Sequence, residues 1–476
     1  MKYIELRKWQ KVGLNKAISL YLNNQKNVVM NVVTGAGKST VATEISYFLL
    51  ENNVIDYIIY AAPQTNVCNS MRKSLEQKFN KTFDGLAFSG GICVTYANQN
   101  YTRTKAIEIA KKHRVLLILD EVHHLCGEEI EVSNSWGEMI LVLSKHSNKV
   151  LSMSGTLFRS DNRPISCIEY TDNTPSVDIQ YSLAEGIRDN INKIPHIVSY
   201  DISDGIGGDS KLSIETLINE KKVIYSELLW NKNIINQLLF DANEKLHDIR
   251  LSIKNASGLV VCKNVSHARM VYMLLKYVYK QKVKIVSSAH RDPERTITTF
   301  KNSEDLWLVS VDMVSEGVDI PRIQVIVYLT NKMTKILFSQ IFGRSLRINT
   351  SHLNHTQNSW LYCLAHPKLL KFSDEMAQML PRQEILFNYK LADLQLEQLP
   401  PKDTRIVRKP KLNKELLKLN EDENKIVQLM DDKINVEDII IRASTRHLGL
   451  QSSFNYKLAS SENVVNLLHY KYEIFE

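Results

Sequence analysis

The chain has 476 residues, enough for two or three domains, and its 44% hydrophobic and 24% charged composition is ordinary for a globular protein. Net charge is +8, from 60 basic and 52 acidic residues, a mild excess that is compatible with a polyanionic partner without specifying one. There is no run of about 18 or more apolar residues to form a membrane span, Met1–Arg7 has no secretory apolar region, and six scattered cysteines without a Cys-x-x-Cys pair argue against a disulfide framework, zinc ribbon or iron–sulfur cluster and suit a reducing cytoplasm.

The first strand candidate, 28–33, runs from Val28-Val29-Met30-Asn31-Val32 into Val33-Thr34-Gly35-Ala36-Gly37-Lys38-Ser39-Thr40. Gly35 and Gly37 lack side chains, so successive backbone N–H groups can converge on phosphate oxygens. The helix predicted over 40–51 points its positive dipole end at the same anion. Lys38 has the reach for β/γ-phosphates, and Ser39 offers a hydroxyl to Mg2+. The general phosphate-loop pattern has a glycine where Val32 stands, and a glycine-rich turn also occurs with no ligand.

Further strands are predicted at 56–62, 91–96, 115–119 and 149–153, with helices at 66–79, 104–113 and 136–145. That alternation implies a parallel sheet covered on both faces. Val115–Leu119 is wholly apolar and ends in Asp120-Glu121-Val122-His123. Two carboxylates at the tip of a buried strand are costly without partners or work. Asp120 would hold Mg2+ and Glu121 would orient the attacking water; the alternative is an acidic cap on a strand end.

Residues 160–250 read as a connector: irregular around Pro164, Pro175 and Pro195, a short helix at Leu183–Arg188, a flexible loop over 201–210, then amphipathic helix. A second alternation starts at Gly258–Cys262 and continues through 283–287, 306–311, 324–330 and 360–364. Arg344 and Arg347 are three apart and share one face if the segment is helical; a surface ion pair would also explain them. Past Pro400-Pro401, seven basic and two acidic residues between 402 and 418 read as a nucleic-acid strap or a solvated linker. Helical patterning resumes from Leu412, and 435–448 reads as a small helical module.

In this order the segments resemble the motifs of superfamily 2 helicases in their DExH form, which tolerates a non-glycine at Val32. Thr34–Ser39 resembles motif I, Asp120–His123 motif II, Ser154-Gly155-Thr156 motif III, Val314–Pro321 motif V and Gln340–Arg347 motif VI. Ala62-Pro63-Gln64-Thr65 and Val94-Thr95-Tyr96 sit where motifs Ia and Ib belong, and Leu6-Arg7-Lys8-Trp9-Gln10 resembles the adenine-reading segment. The resemblance covers roughly 1–366 and in detail runs toward bacterial or phage DEAD/DEAH helicases, type I restriction motors and XPB-type translocases.

The resemblance implies an α/β fold of two tandem RecA-like lobes with parallel sheets and a mainly helical C-terminal region, divided as 1–165, 166–250, 251–366 and 367–476, with ATP and Mg2+ as cofactors. It implies catalysis by Lys38, Asp120, Glu121, Arg344 and Arg347, the guanidinium groups neutralising charge on the transferred phosphoryl. It implies nucleotide contacts from Arg7, Gln10, Thr34, Gly35, Ala36, Gly37, Lys38, Ser39, Thr40, Gly317 and Asp319, with Ser39 and Asp120 on the metal. His123, Ser154, Thr156 and Gln340 would couple the nucleotide to the track, and Pro63, Thr65, Thr95, Tyr96, Arg159 and Ser315 would touch nucleic acid. Arg159 could equally form an intramolecular salt bridge, and Trp136 reads as core. His123 and His124 do not read as a metal pair, because no further ligand is spaced to help. The implied activity is an ATP-dependent helicase or translocase in the cytoplasm, acting on DNA in preference to RNA, with no membrane partner and a protein partner reachable through the C-terminal region. The alternatives are an RNA helicase and a nucleotide-gated nucleic-acid-binding subunit that recruits a nuclease in phage defence.

Overall fold

Unbroken apolar runs make the central strands of two sheets, as strands buried on both faces require. The computed structural model describes residues 5–86, 88–97, 100–126, 135–159, 163–203, 213–221, 223–287, 289, 292–311, 320–349, 357–378, 380, 440–447 and 450–457. By contacts the chain divides into a first unit, 1–192 with 315–319 and 334–348, and a second, 193–314 with 320–333 and 349–476. Residues 334–348, grouped by sequence with the second lobe, group by contact with the first unit.

The first unit holds β1 (Asn27–Val32), β2 (Tyr57–Ala62), β3 (Gly91–Thr95), β4 (Val115–Asp120), β5 (Lys149–Ser154), a small hairpin of β6 (Tyr170–Thr171) and β7 (Thr174–Pro175), and β8 (Ile179–Tyr181). Its main sheet is ordered β3-β2-β4-β5-β1-β8, with every pair parallel. Ile45, Leu49, Met71 and Leu75 pack on Val28, Ile58 and Tyr60 on one face. Ala106, Ala110, Met139 and Leu143 pack on Ile59 and Leu117 on the other. Because the strands are parallel, the carboxyl ends of β1, β4 and β5 come to one edge, where such sheets hold ligands.

The second unit holds β9 (Ile194–Ser203), β10 (Ser257–Cys262), β11 (Val283–Ser287), β12 (Trp307–Val311), β13 (Ile323–Leu329), β14 (Asn358–Leu364), β15 (Ile440–His447) and β16 (Leu450–Lys457). The order is β11-β12-β10-β13-β14-β9-β15-β16, parallel through β9 and antiparallel beyond it. Trp307 is fully buried against Gly258, where a Cβ would run into its ring, and its Nε1 donates to Asn243 Oδ1 at 3.1 Å.

Two expectations are corrected. Residues 194–203, read as irregular around Pro195, form a ten-residue strand. Pro195 lies outside the 197–203 stretch that pairs with β15, so its missing N–H removes no bond on that side. Within 435–448, read as a helical module, residues 440–447 form a strand paired with β9. The open edge of β9 overrides a helical pattern that contains Ile440, Ile441 and Thr445, all good strand formers. The rest of the described C-terminal region is the helix Pro367–Gln378 and β16. The basic 402–418 segment and most of the expected 201–210 loop lie outside the described residues. No helix among the described residues is long and apolar enough to cross a membrane.

His267 is fully buried in the second unit, and its Nδ1 accepts from Lys263 N at 3.4 Å. Burial pushes its pKa down to about 4. The folded state therefore holds it neutral, while the unfolded chain titrates near the ordinary value of about 6.5. Stability from this group is present above about pH 6.5 and is lost as pH falls through 4. Urea unfolding should show a loss on the order of 2 kcal/mol between about pH 7.5 and about pH 4.5 that His267→Leu lacks. Identical pH slopes in the two proteins would refute the assignment.

Candidate nucleotide site

Between β1 and the helix Lys38–Glu51 the chain turns through Gly35 at φ +86° and Gly37 at φ +97°, a region that strains any side chain. A Cβ on Gly37 would lie 2.5 Å from Gln10 Nε2, and one on Gly35 would lie 2.6 Å from Arg347 Cγ. The loop is held from its carbonyl side: Arg7 Nη1 donates to Ala36 O at 3.0 Å, and Gln10 Nε2 donates to Gly37 O at 3.2 Å. Gln10 Oε1 accepts from Arg7 N at 2.9 Å. The buried Gln10 amide, assigned by resemblance to adenine, is thus bonded to the phosphate loop itself. Trp9 beside it stacks on Tyr181 with centroids 4.8 Å apart.

Lys38 Nζ donates to Glu121 Oε1 at 3.0 Å. Glu121 has φ +49° and opens the short turn Val122–His124, which brings its carboxylate back over the loop. Asp120, at the buried tip of β4, accepts from Tyr60 Oη at 2.6 Å and from Glu121 N at 3.0 Å. Burial raises the Asp120 carboxyl, and Lys38 offsets part of that rise. Burial also works to raise Glu121, but Lys38 and then His123 outweigh it and hold that carboxyl well below the usual range.

His123 ties three elements together. Its Nδ1 is 2.9 Å from Ser154 Oγ and 3.3 Å from Thr156 Oγ1, just past β5. Its Nε2 is 3.5 Å from Gln340 on the helix Lys335–Ser345. Ser154 Oγ in turn donates to Glu121 Oε2 at 3.4 Å. Thr334 caps that helix, its side chain accepting from Leu337 N at 3.3 Å.

The structure departs from the sequence reading in two places. Arg347 does not share a helix face with Arg344, because the helix ends at Ser345 and Arg347 instead forms an antiparallel backbone bridge with Asn192. Tyr96 is buried and donates to Asp120 O at 2.7 Å, so it props the acidic strand end from inside and presents no surface to nucleic acid. Arg159 Nη1 donates to His123 O at 2.8 Å, an intramolecular contact. Pro63 and Thr95 sit half-buried at the carboxyl ends of β2 and β3, and Thr65 is exposed at the start of the helix Thr65–Phe79. Ser39 is exposed and Thr40 half-buried in the first turn after the loop. Ser315, Gly317 and Asp319 lie outside the described residues.

Two residues at the site escaped sequence reasoning. Tyr60 is hidden inside an apolar strand run, and Asn192, which donates to Thr34 O at 3.0 Å, belongs to no motif. Among the described residues no cluster of three or more His, Cys, Asp or Glu could hold a metal by itself. Ser39 and Asp120 carry oxygens of the hard type that a Mg2+ ion would take together with phosphate and water.

Residues 3–159 match the family model of the type III restriction enzyme res subunit, and residues 241–349 match the helicase conserved C-terminal domain. An uncharacterised protein of Mycobacterium leprae is 26% identical over 396 residues, covering 78% of this chain and 64% of the relative. The DNA 3'-5' translocase XPB2 of Sulfurisphaera tokodaii is 23% identical over 377 residues, covering 72% of this chain and 79% of the relative. A solved fragment described as an HsdR subunit of a type I restriction enzyme from Vibrio vulnificus has a TM-score of 0.52 at 18% identity, covering 77% of this chain and 65% of that one, a likeness of fold. The chain spans 59–64% of the length of the first curated relatives it matches. A res-subunit match over 3–159 followed by a helicase C-terminal match over 241–349 supports a superfamily 2 helicase of DExH form.

Proposed function

We propose that this chain hydrolyses ATP to drive movement along nucleic acid, with DNA as its track. The observation that carries the reading is the Lys38–Glu121 ion pair at 3.0 Å, set between a left-handed glycine loop and the buried Asp120. Lys38 is paired with a carboxylate that a phosphate can replace, and Glu121, once released, can take a proton from the attacking water. Mg2+, when bound, would neutralise phosphate charge, and Ser39 and Asp120 are the residues that would hold it. Arg344 and Arg347 offset charge on the phosphoryl group as it transfers. His123 passes the state of Glu121 to Ser154, Thr156 and Gln340. Pro63, Thr65, Thr95 and Ser315 are proposed to meet the track through its phosphates, which makes binding weakly sequence-specific and salt-sensitive. The choice of DNA is supported by likeness to proteins named as a DNA translocase and as type I restriction enzyme subunits.

The test is steady-state ATP turnover with single-stranded DNA, duplex DNA, forked DNA and RNA. Turnover should rise with DNA, and the stimulation should fade as salt increases. Stimulation by RNA alone would overturn the choice of track. No turnover with any of the four would overturn the enzyme reading.

A further inference from the structure

Asn192 stands outside every motif, yet its side chain reaches two of them. Its Nδ2 donates to Thr34 O, in the phosphate loop, at 3.0 Å and to Leu346 O, beside Arg347, at 3.4 Å. Two carbonyl acceptors fix which way the amide points. Its backbone forms the antiparallel bridge with Arg347, and its own N–H donates to Gly186 O at 2.9 Å. Asn192 is 3% exposed. Its buried Oδ1 has no hydrogen-bond partner and faces Gly186, where an added Cβ would collide with it. A side chain that only filled space here would be apolar, because leaving an amide oxygen buried and unmet is unfavourable. Two carbonyls cannot bond each other, and a donor placed between them joins them. The next residue, Lys193, is fully buried and donates to Pro321 O at 2.8 Å and Ile323 O at 2.7 Å in the second unit.

We propose that Asn192 is a positioning residue whose amide ties the Thr34 carbonyl to the Leu346 carbonyl and so sets where Arg347 lies against Gly35. The inference rests on the ATP-hydrolysing reading above. It acts on turnover more than on nucleotide binding, since misplacement of a group that serves the transition state costs rate.

The experiment compares Asn192→Ala, Gly186→Ala and the double variant with wild type, measuring DNA-stimulated kcat, the Kd of a fluorescent ATP analogue, and the thermal midpoint. Asn192→Ala removes the donor, and Gly186→Ala pushes the intact amide aside. Each single change should lower kcat about 10- to 100-fold while Kd moves less than about threefold. The double variant should be no slower than Asn192→Ala, because the Gly186→Ala collision needs the amide to be present. Wild-type kcat in Asn192→Ala overturns the proposal, as does a fall in kcat, affinity and thermal midpoint together, which marks a purely structural role. An inactive wild-type chain sinks the enzyme reading and this one with it.

Discussion

Lys38→Ala should lower DNA-stimulated ATP turnover about 10³-fold, the loss expected when a fixed cation is removed from a developing phosphoryl charge. Two effects combine. Lys38 is the strongest influence lowering the carboxyl pKa of both Asp120 and Glu121, while burial pushes both upward. Without the ammonium the two neighbouring carboxylates lose the strongest influence that favours their charged forms, and both are harder to keep ionised. The variant therefore loses the phosphate contact and the ion pair that places Glu121 together. Lys38→Arg keeps the charge but presents a planar fork where a point charge bonded Glu121 at 3.0 Å, so it should be slow as well. Steady-state assays beside far-ultraviolet circular dichroism check this. Full turnover by a folded Lys38→Ala protein would mean that Gly35–Lys38 is a turn and not a phosphate cradle.

The parts of this molecule legible in the sequence are those fixed by local chemistry. Val115–Leu119 reads as a buried strand because an apolar run bounded by charge has few other fates, and β4 occupies Val115–Asp120. The helix Leu183–Arg188 is legible because its start is encoded beside it: Ser182 N donates to Glu185 Oε2 at 2.7 Å and Ser182 Oγ accepts from Glu185 N. The strand β9 was not legible. Its partners β14 and β15 lie far along the chain, and Pro164, Pro175 and Pro195 dominate the local pattern.

Distance along the chain also hid details of the site. Arg347 leaves the helix register of Arg344 because its backbone pairs with Asn192, a partner no window around 347 contains. The sequence places Tyr96 with Thr95 as a surface contact, but successive residues at a strand end point to opposite sides, and Tyr96 turns inward to the Asp120 carbonyl. The loop glycines were legible for the opposite reason: a left-handed turn that approaches other groups within a Cβ's width admits little else.

Glu121→Gln should separate binding from chemistry. The amide keeps the size of the carboxylate and an oxygen that can accept from Lys38 Nζ, but it cannot take a proton from water. Removing a positioned general base costs about 10²- to 10⁴-fold in rate, so turnover should fall by that order. ATP binding should be retained or tightened, because Lys38 no longer leaves a full negative charge when it turns to a phosphate. The neighbouring carboxyl gives a second readout. Glu121 is one of the influences raising Asp120, so its neutralisation should let the Asp120 pKa fall, which a nuclear magnetic resonance titration of the carboxyl would detect. Stability should change little, since Tyr60 Oη and the backbone N–H of residue 121 still hold Asp120. A variant that binds ATP weakly would mark Glu121 as part of the nucleotide's binding frame. One that binds and turns over like wild type would remove it from the chemistry, and the water would then need another base among the groups at the carboxyl ends of β4 and β5.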